Sequence, residues 1–157
     1  MVRVLFLCAS ISAMAFLPKA SAADFSLEIG PPVAAGPGVK VSKASWAFAV
    51  RSEGCDDPAN SLRIFAATAE GLIDDVRSSV PVTPIKTGKP GVYLVSQNWP
   101  SAGVWVVSLS AACGPVKKTG AIVRIRPQSS EVYRTPGPPT AAEVEAELKA
   151  GGNLLHK

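Results

Sequence analysis

Apolar and polar residues alternate with a period of two along most of this chain, and turn residues cut the alternation at short intervals. Phe25, Leu27 and Ile29 alternate with polar neighbours until Gly30-Pro31-Pro32 ends the run. Residues 39–50 predict a second strand, with Trp46, Phe48 and Val50 on one face. Leu62, Ile64, Ala66 and Thr68 mark a third, and residues 76–82 a fourth, with Glu70-Gly71 and Asp74-Asp75 bracketing a tight connection between them. Residues 92–96 make a fifth. Residues 104–110 make the sixth and strongest, with Trp105, Val107 and Leu109 on one face. Ala121, Val123 and Ile125 form the inner face of a seventh, and Arg124 and Arg126 point outward.

Seven short strands with no long 3.6-period segment among them predict an all-β fold, an Ig-like antiparallel β-sandwich. The 14 prolines and 13 glycines fit, since they punctuate strands and protect edges. After Arg126 the pattern stops. Residues 127–139 are rich in Pro, Ser and Thr and read as a linker. Thr140-Ala141-Ala142-Glu143 has the spacing of a capping box, in which the two side chains satisfy free backbone N–H groups at a helix start. Glu145, Glu147 and Lys149 suit the field of a short helix, and Gly151 suits its stop. Val144 and Leu148 give that helix a thin apolar stripe, with Leu154 and Leu155 beyond. The stripe fits docking on the sandwich or on a partner.

The start of the chain has a different pattern. Arg3 precedes an apolar run over residues 4–17, and Ala20-Ser21-Ala22 follows with small residues where signal peptidase reads them. The run is too short to span a bilayer, so residues 1–22 are expected to be a cleaved secretory signal and the mature chain periplasmic or secreted, without stable membrane insertion. Cys8 follows Leu5-Phe6-Leu7 inside the run rather than small residues at its end, so lipidation is not expected. This divides the chain into the signal, a sandwich over 23–126, and the linker with the helix over 127–157.

Cleavage changes the composition. Met1, Met14 and Cys8 leave, as do Arg3 and Lys19, so the formal net charge drops by two from +4. The remaining excess is small and dispersed, which argues against a nucleic-acid partner. Cys55 and Cys113 remain as an even pair in an oxidising compartment, and a disulfide is expected. In an alternating strand order, both cysteines fall just beyond strand ends at the same pole of the sandwich.

Catalytic constellations are scarce. His156 is the only histidine, next to last in the chain, so no serine or cysteine has a positioned imidazole base. No Cys-x-x-Cys or histidine cluster suggests zinc. Asp56-Asp57 and Asp74-Asp75 are carboxylate pairs of the kind calcium takes, but the strand order puts them at opposite poles, ~20 Å apart by a strand's length. Asp56-Asp57-Pro58 reads better as a turn. Trp46 and Trp105 have core parity. Trp99 sits at a turn, where it would cap the core or stack on a sugar. No enzyme activity and no cofactor are expected. The disulfide-pole loops carry Glu53, Asp56 and Asp57 on one side and Lys86, Lys89, Lys117 and Lys118 on the other. Loops at one end of a rigid sandwich are a natural recognition surface, and these four lysines are the candidate partner-binding residues.

Pro90-Gly91-Val92-Tyr93, followed by Trp99-Pro100-Ser101-Ala102-Gly103-Val104-Trp105-Val106-Val107-Ser108-Leu109, resembles a hairpin of small exported bacterial Ig-like domains. YtkA-like and FixH-like proteins carry it, as do, more distantly, CopC-type copper sandwiches. The resemblance covers about 20 residues and implies the fold and a bacterial periplasmic setting. Copper sites of such proteins use His and Met, which suit Cu(II) and Cu(I). The mature chain has no Met and its one His lies in the tail, so no ligand position carries over. The expectation is an exported, non-enzymatic binding or accessory module acting on an unknown envelope protein. The alternative is a divergent periplasmic metal-handling domain of copper type.

Overall fold

The computed structural model describes residues 24–32, 46–74, 76–125 and 130–152. The described strands are β1 (Ser26–Gly30), β2 (Trp46–Glu53), β3 (Leu62–Ile73), β4 (Val76–Pro81), β5 (Ile85–Lys86), β6 (Val92–Ser96), β7 (Val104–Cys113), β8 (Lys117–Ile125) and β9 (Ser130–Thr135), followed by helix α1 (Ala141–Gly152). They form two antiparallel sheets, ordered β1-β2-β6-β5 and β4-β3-β7-β8-β9. With β5 as the fourth strand of the first sheet, this is the Ig-type division into ABED and CFG, extended by β4 at one edge and β9 at the other. The all-β sandwich is therefore as read from the alternation, with nine described strands rather than seven.

The two added strands have different causes. β5 is two residues long, continues β4 across a switch of sheets, and pairs only Ile85 with Leu94 and Lys86 with Tyr93. β9 lies inside residues 127–139, the stretch expected to be a linker. Ser130–Thr135 pairs with β8 along its whole length, from Ile125↔Ser130 to Gly120↔Thr135, so this stretch belongs to the domain. The resemblance motif is corrected too. Tyr93 and Trp105 lie on β6 and β7, in different sheets, so residues 90–109 form a connection between the layers and not a hairpin.

Alternation places the inner faces together. Phe25, Leu27, Phe48, Val50, Tyr93 and Val95 from the first sheet meet Leu62, Ala69, Trp105, Val107, Leu109, Ala121 and Val123 from the second. Two bulges break the period. One between Trp46 and Phe48 leaves Trp46 half-buried and outside this core, against its expected parity. Another between Ile64 and Ala66 leaves Phe65 exposed. β3 continues through Glu70 and Gly71 to Ile73, so the chain turns only at Asp74, whose φ is 47°. Gly71 is the inner-face partner of Trp105, and a Cβ there would lie 2.6 Å from three ring atoms. Trp99 is also buried, 6.4 Å from Trp105 between centroids, which removes its ring from any sugar-stacking role.

Helix α1 runs back along the outer face of the second sheet. Val144 and Leu148 bury against Val106, Ile122 and Tyr133. Gly151, expected as a stop, lies within the helix and packs against Val104. Arg124 does point outward from β8, but the helix covers it. It is 5% exposed, ion-paired to Glu131 at 2.7 Å and to Glu147, with Tyr133's ring 5.1 Å away. Arg77 on β4 joins Glu145 at 2.6 Å and Glu70. The capping box forms as expected: Thr140 N–H donates to Glu143 at 2.7 Å, and Glu143 N–H to Thr140 Oγ1 at 3.3 Å. The bonds from Thr140 hold the Glu143 carboxyl below its ordinary range. The cap is therefore intact above the ordinary carboxylate range and is lost as pH falls through the lowered value. Thr140→Ala is expected to cost about 1 kcal/mol, read as faster amide exchange in the first turn of α1 with β-strand amides unchanged. Leu154, Leu155 and His156 lie outside the described residues, as do residues 1–22.

Candidate functional site: the disulfide pole

The ends of β2, β5, β7 and β9 and the starts of β1, β3, β6 and β8 meet at one pole, as their registers require. Cys55, two residues after β2, is bonded to Cys113, the last residue of β7, with Cα atoms 5.7 Å apart. The bridge joins the two sheets at their ends rather than in mid-strand, as the cysteine positions implied.

The 54–61 loop is held from several sides. Asp57 accepts from Asn60 Nδ2 at 3.1 Å and from Ser61 N–H, through its carbonyl, at 2.8 Å. This is the local turn expected for Asp56-Asp57-Pro58. Gly114 N–H donates to Ser61 O at 3.0 Å, and Tyr93 OH to Leu62 O at 3.1 Å. Burial raises the Tyr93 phenol above its usual range, which keeps it a donor. On the far side, Ser52 N–H donates to Gly91 O. Gly91 has φ 73°, and a Cβ there would come within 2.9 Å of Ser52 and Pro58, so only glycine brings the 88–91 turn this close.

The four candidate lysines flank this loop. Lys86 and Lys89 border a shallow cleft of about 200 Å³ with Pro58 and Ala59. Thr87 Oγ1 accepts from Lys89 N–H at 3.1 Å and sets the turn. Lys117 and Lys118 open β8 on the other side, where Lys117 Nζ donates to Gly54 O at 3.3 Å and lies 3.7 Å from Asp56. Acidic and basic residues are thus interleaved, with Asp56 and Asp57 between the two lysine pairs, and not segregated to two sides. Asp74 sits at the far end of β3, roughly 35–40 Å away at about 3.3 Å per residue, so it does not converge with Asp56 and Asp57; Asp75 lies outside the described residues. Among the described residues, no group of three or more His, Cys, Asp or Glu is placed to hold a metal. No helix among the described residues is long and apolar enough to cross a membrane.

One contributor to this pole escaped the linear reading. Arg134 on β9 reaches across to β1, where its Nε donates to Leu27 O at 3.1 Å. The alternation of Glu131, Tyr133 and Thr135 against Val132 and Arg134 was the available signal, masked by flanking prolines.

The chain matches no family model, no curated protein and no solved structure. The architecture is that of a disulfide-tied β-sandwich with a docked helix.

Proposed function

We propose that this chain is an exported, non-enzymatic binding or accessory module of the bacterial envelope, periplasmic or secreted, which presents its disulfide pole to another envelope protein. The observation that carries the reading is the disulfide pole itself. A loop cross-tied by Cys55–Cys113, Gly114–Ser61 and Lys117–Gly54 contacts stands between two pairs of lysines. Lys86, Lys89 and Lys118 are exposed and Lys117 partly so. A pre-ordered loop loses little entropy on binding, and rim charges steer the encounter. The sequence-level features that support export are the apolar start with its small-residue exit and the even cysteine pair.

The test is in-cell crosslinking with a reagent that does not react with lysine, comparing the native chain with Lys86, Lys89, Lys117 and Lys118 changed to Ser. A discrete envelope partner captured by the native chain and reduced about tenfold or more in the variant is the expected result, given a variant that keeps its disulfide and melting curve. Equal capture by both, or substrate turnover by purified 23–157, overturns the reading.

A further inference from the structure

A groove of about 770 Å³ lies beside the loop, between β1 and the start of β8. Lys117, Lys118 and Arg134 line it against one carboxylate among the described residues, Asp24. Phe25 lies at its floor, 9% exposed, and Val116 stands on its rim, 85% exposed. Lys117 is engaged with Gly54 and Asp56, and Arg134 Nε with Leu27. Lys118 has no hydrogen-bond or ion-pair partner among the described residues.

Among the described residues, the backbone of both walls is that of strands short of a neighbour. β1 is the outermost strand of its sheet. On the other wall, pairing of β9 with β8 ends at Gly120↔Thr135, so among the described residues no strand lies beside Lys117 and Lys118 on that side, while Thr119 is buried and its hydroxyl donates to Thr135 O at 3.2 Å. The chain past Thr135 instead turns over the outer face, where Pro139 and Gly137 pack on Gly120. Unpaired strand backbone is a template for adding an extended segment. The charge lining the groove selects that segment's side chains.

We infer that this groove receives an extended acidic peptide segment of a partner protein, paired along the open start of β8, with its carboxylates facing Lys118 and its alternate, apolar side chains toward Phe25. The inference rests on the binding-module reading and narrows it to one side of the pole and one partner chemistry. An edge this short and a groove of this size suit a weak, salt-sensitive contact in the class of small interfaces.

The experiment uses purified mature chain, residues 23–157, and three labelled heptapeptides read by fluorescence anisotropy at low and physiological salt. One alternates Glu with Val, one alternates Lys with Val, and one is the Glu–Val peptide with its central residue replaced by Pro, which cannot pair as a strand. The acidic peptide is expected to bind and the basic one not to. The Pro peptide is expected to bind about tenfold more weakly or worse, since it forfeits the backbone pairing. Lys118→Glu is expected to weaken binding about tenfold, whereas Arg51→Glu, the same charge change on the outer face of the first sheet, leaves it unaltered. Equal binding of the acidic and Pro peptides overturns strand addition, and equal effects of the two variants overturn the groove. No binding at millimolar peptide overturns the inference. If the four-lysine variant still loses its partner in cells in that case, the binding-module reading survives, and if it does not, both fall.

Discussion

Trp105→Ala lowers the free energy of unfolding by about 3–5 kcal/mol, a third or more of what a domain of this size commonly has. Trp105 is 2% exposed near the start of β7, the middle strand of the second sheet. Its indole Nε1 donates to Ala102 O at 2.8 Å, which fixes the 99–103 connection between the sheets. Its ring lies over Gly71 and beside Trp99. Alanine removes the ring and leaves a space bounded by backbone on the Gly71 side, which cannot collapse without bending β3. It also leaves the Ala102 carbonyl without its donor. Gly71→Ala strains the same contact from the opposite side. The double substitution is therefore expected to cost less than the sum of the two. Urea unfolding followed by far-ultraviolet circular dichroism measures this. A loss under about 1 kcal/mol for Trp105→Ala is the cost of a surface change and would show that the ring is not a main support of the core.

The second large effect is loss of the disulfide. The bridge spans 58 residues, and constraining a loop of that length in the unfolded chain stabilises by about 4 kcal/mol in the chain-entropy account. Cys55→Ser with Cys113→Ser removes that constraint while keeping two small side chains at the site. Noncovalent contacts remain at the pole, among them Gly114 to Ser61, Lys117 to Gly54 and Tyr93 to Leu62. The sandwich should therefore still fold, with the 54–61 loop loosened. The denaturation midpoint is expected to fall with little change in cooperativity, and Gly114 and Ser61 amides to exchange faster than those of β7. A midpoint unchanged by the double substitution would contradict the account of the pole as a covalently ordered surface.

Much of this architecture was legible in the linear pattern because inner-face positions had strict alternation. Trp105, Val107 and Leu109 on β7 and Ala121, Val123 and Ile125 on β8 are packed against the core as their spacing required. The cysteines and the capping box were legible for another reason, since their chemistry is local to a few residues. What was hidden depends on neighbours distant in sequence. β5 is too short to carry a period and exists because β6 offers it an edge. β9 is flanked by prolines and is stabilised by β8 and by Arg124–Glu131. Trp46 lost its core parity to a bulge opposite Ser96 and Val95. Arg124 reads as a solvated cation, and its burial follows only from the helix laid over it. At the candidate site the four lysines and the pole were legible. The interleaving of Asp56 with Lys117 and the arrival of Arg134 from β9 were not.

The most direct test of the central claim places a photo-activated crosslinking residue at single surface positions of the exported chain in cells. Ala59, Lys89 and Val116 sample the disulfide pole, and Ala146 and Lys149 sample the exposed side of α1. The account predicts adducts to a common envelope partner from the pole positions and none from the helix. Adducts to that partner from Ala146 or Lys149 alone would contradict it, and would move the recognition surface to the docked helix.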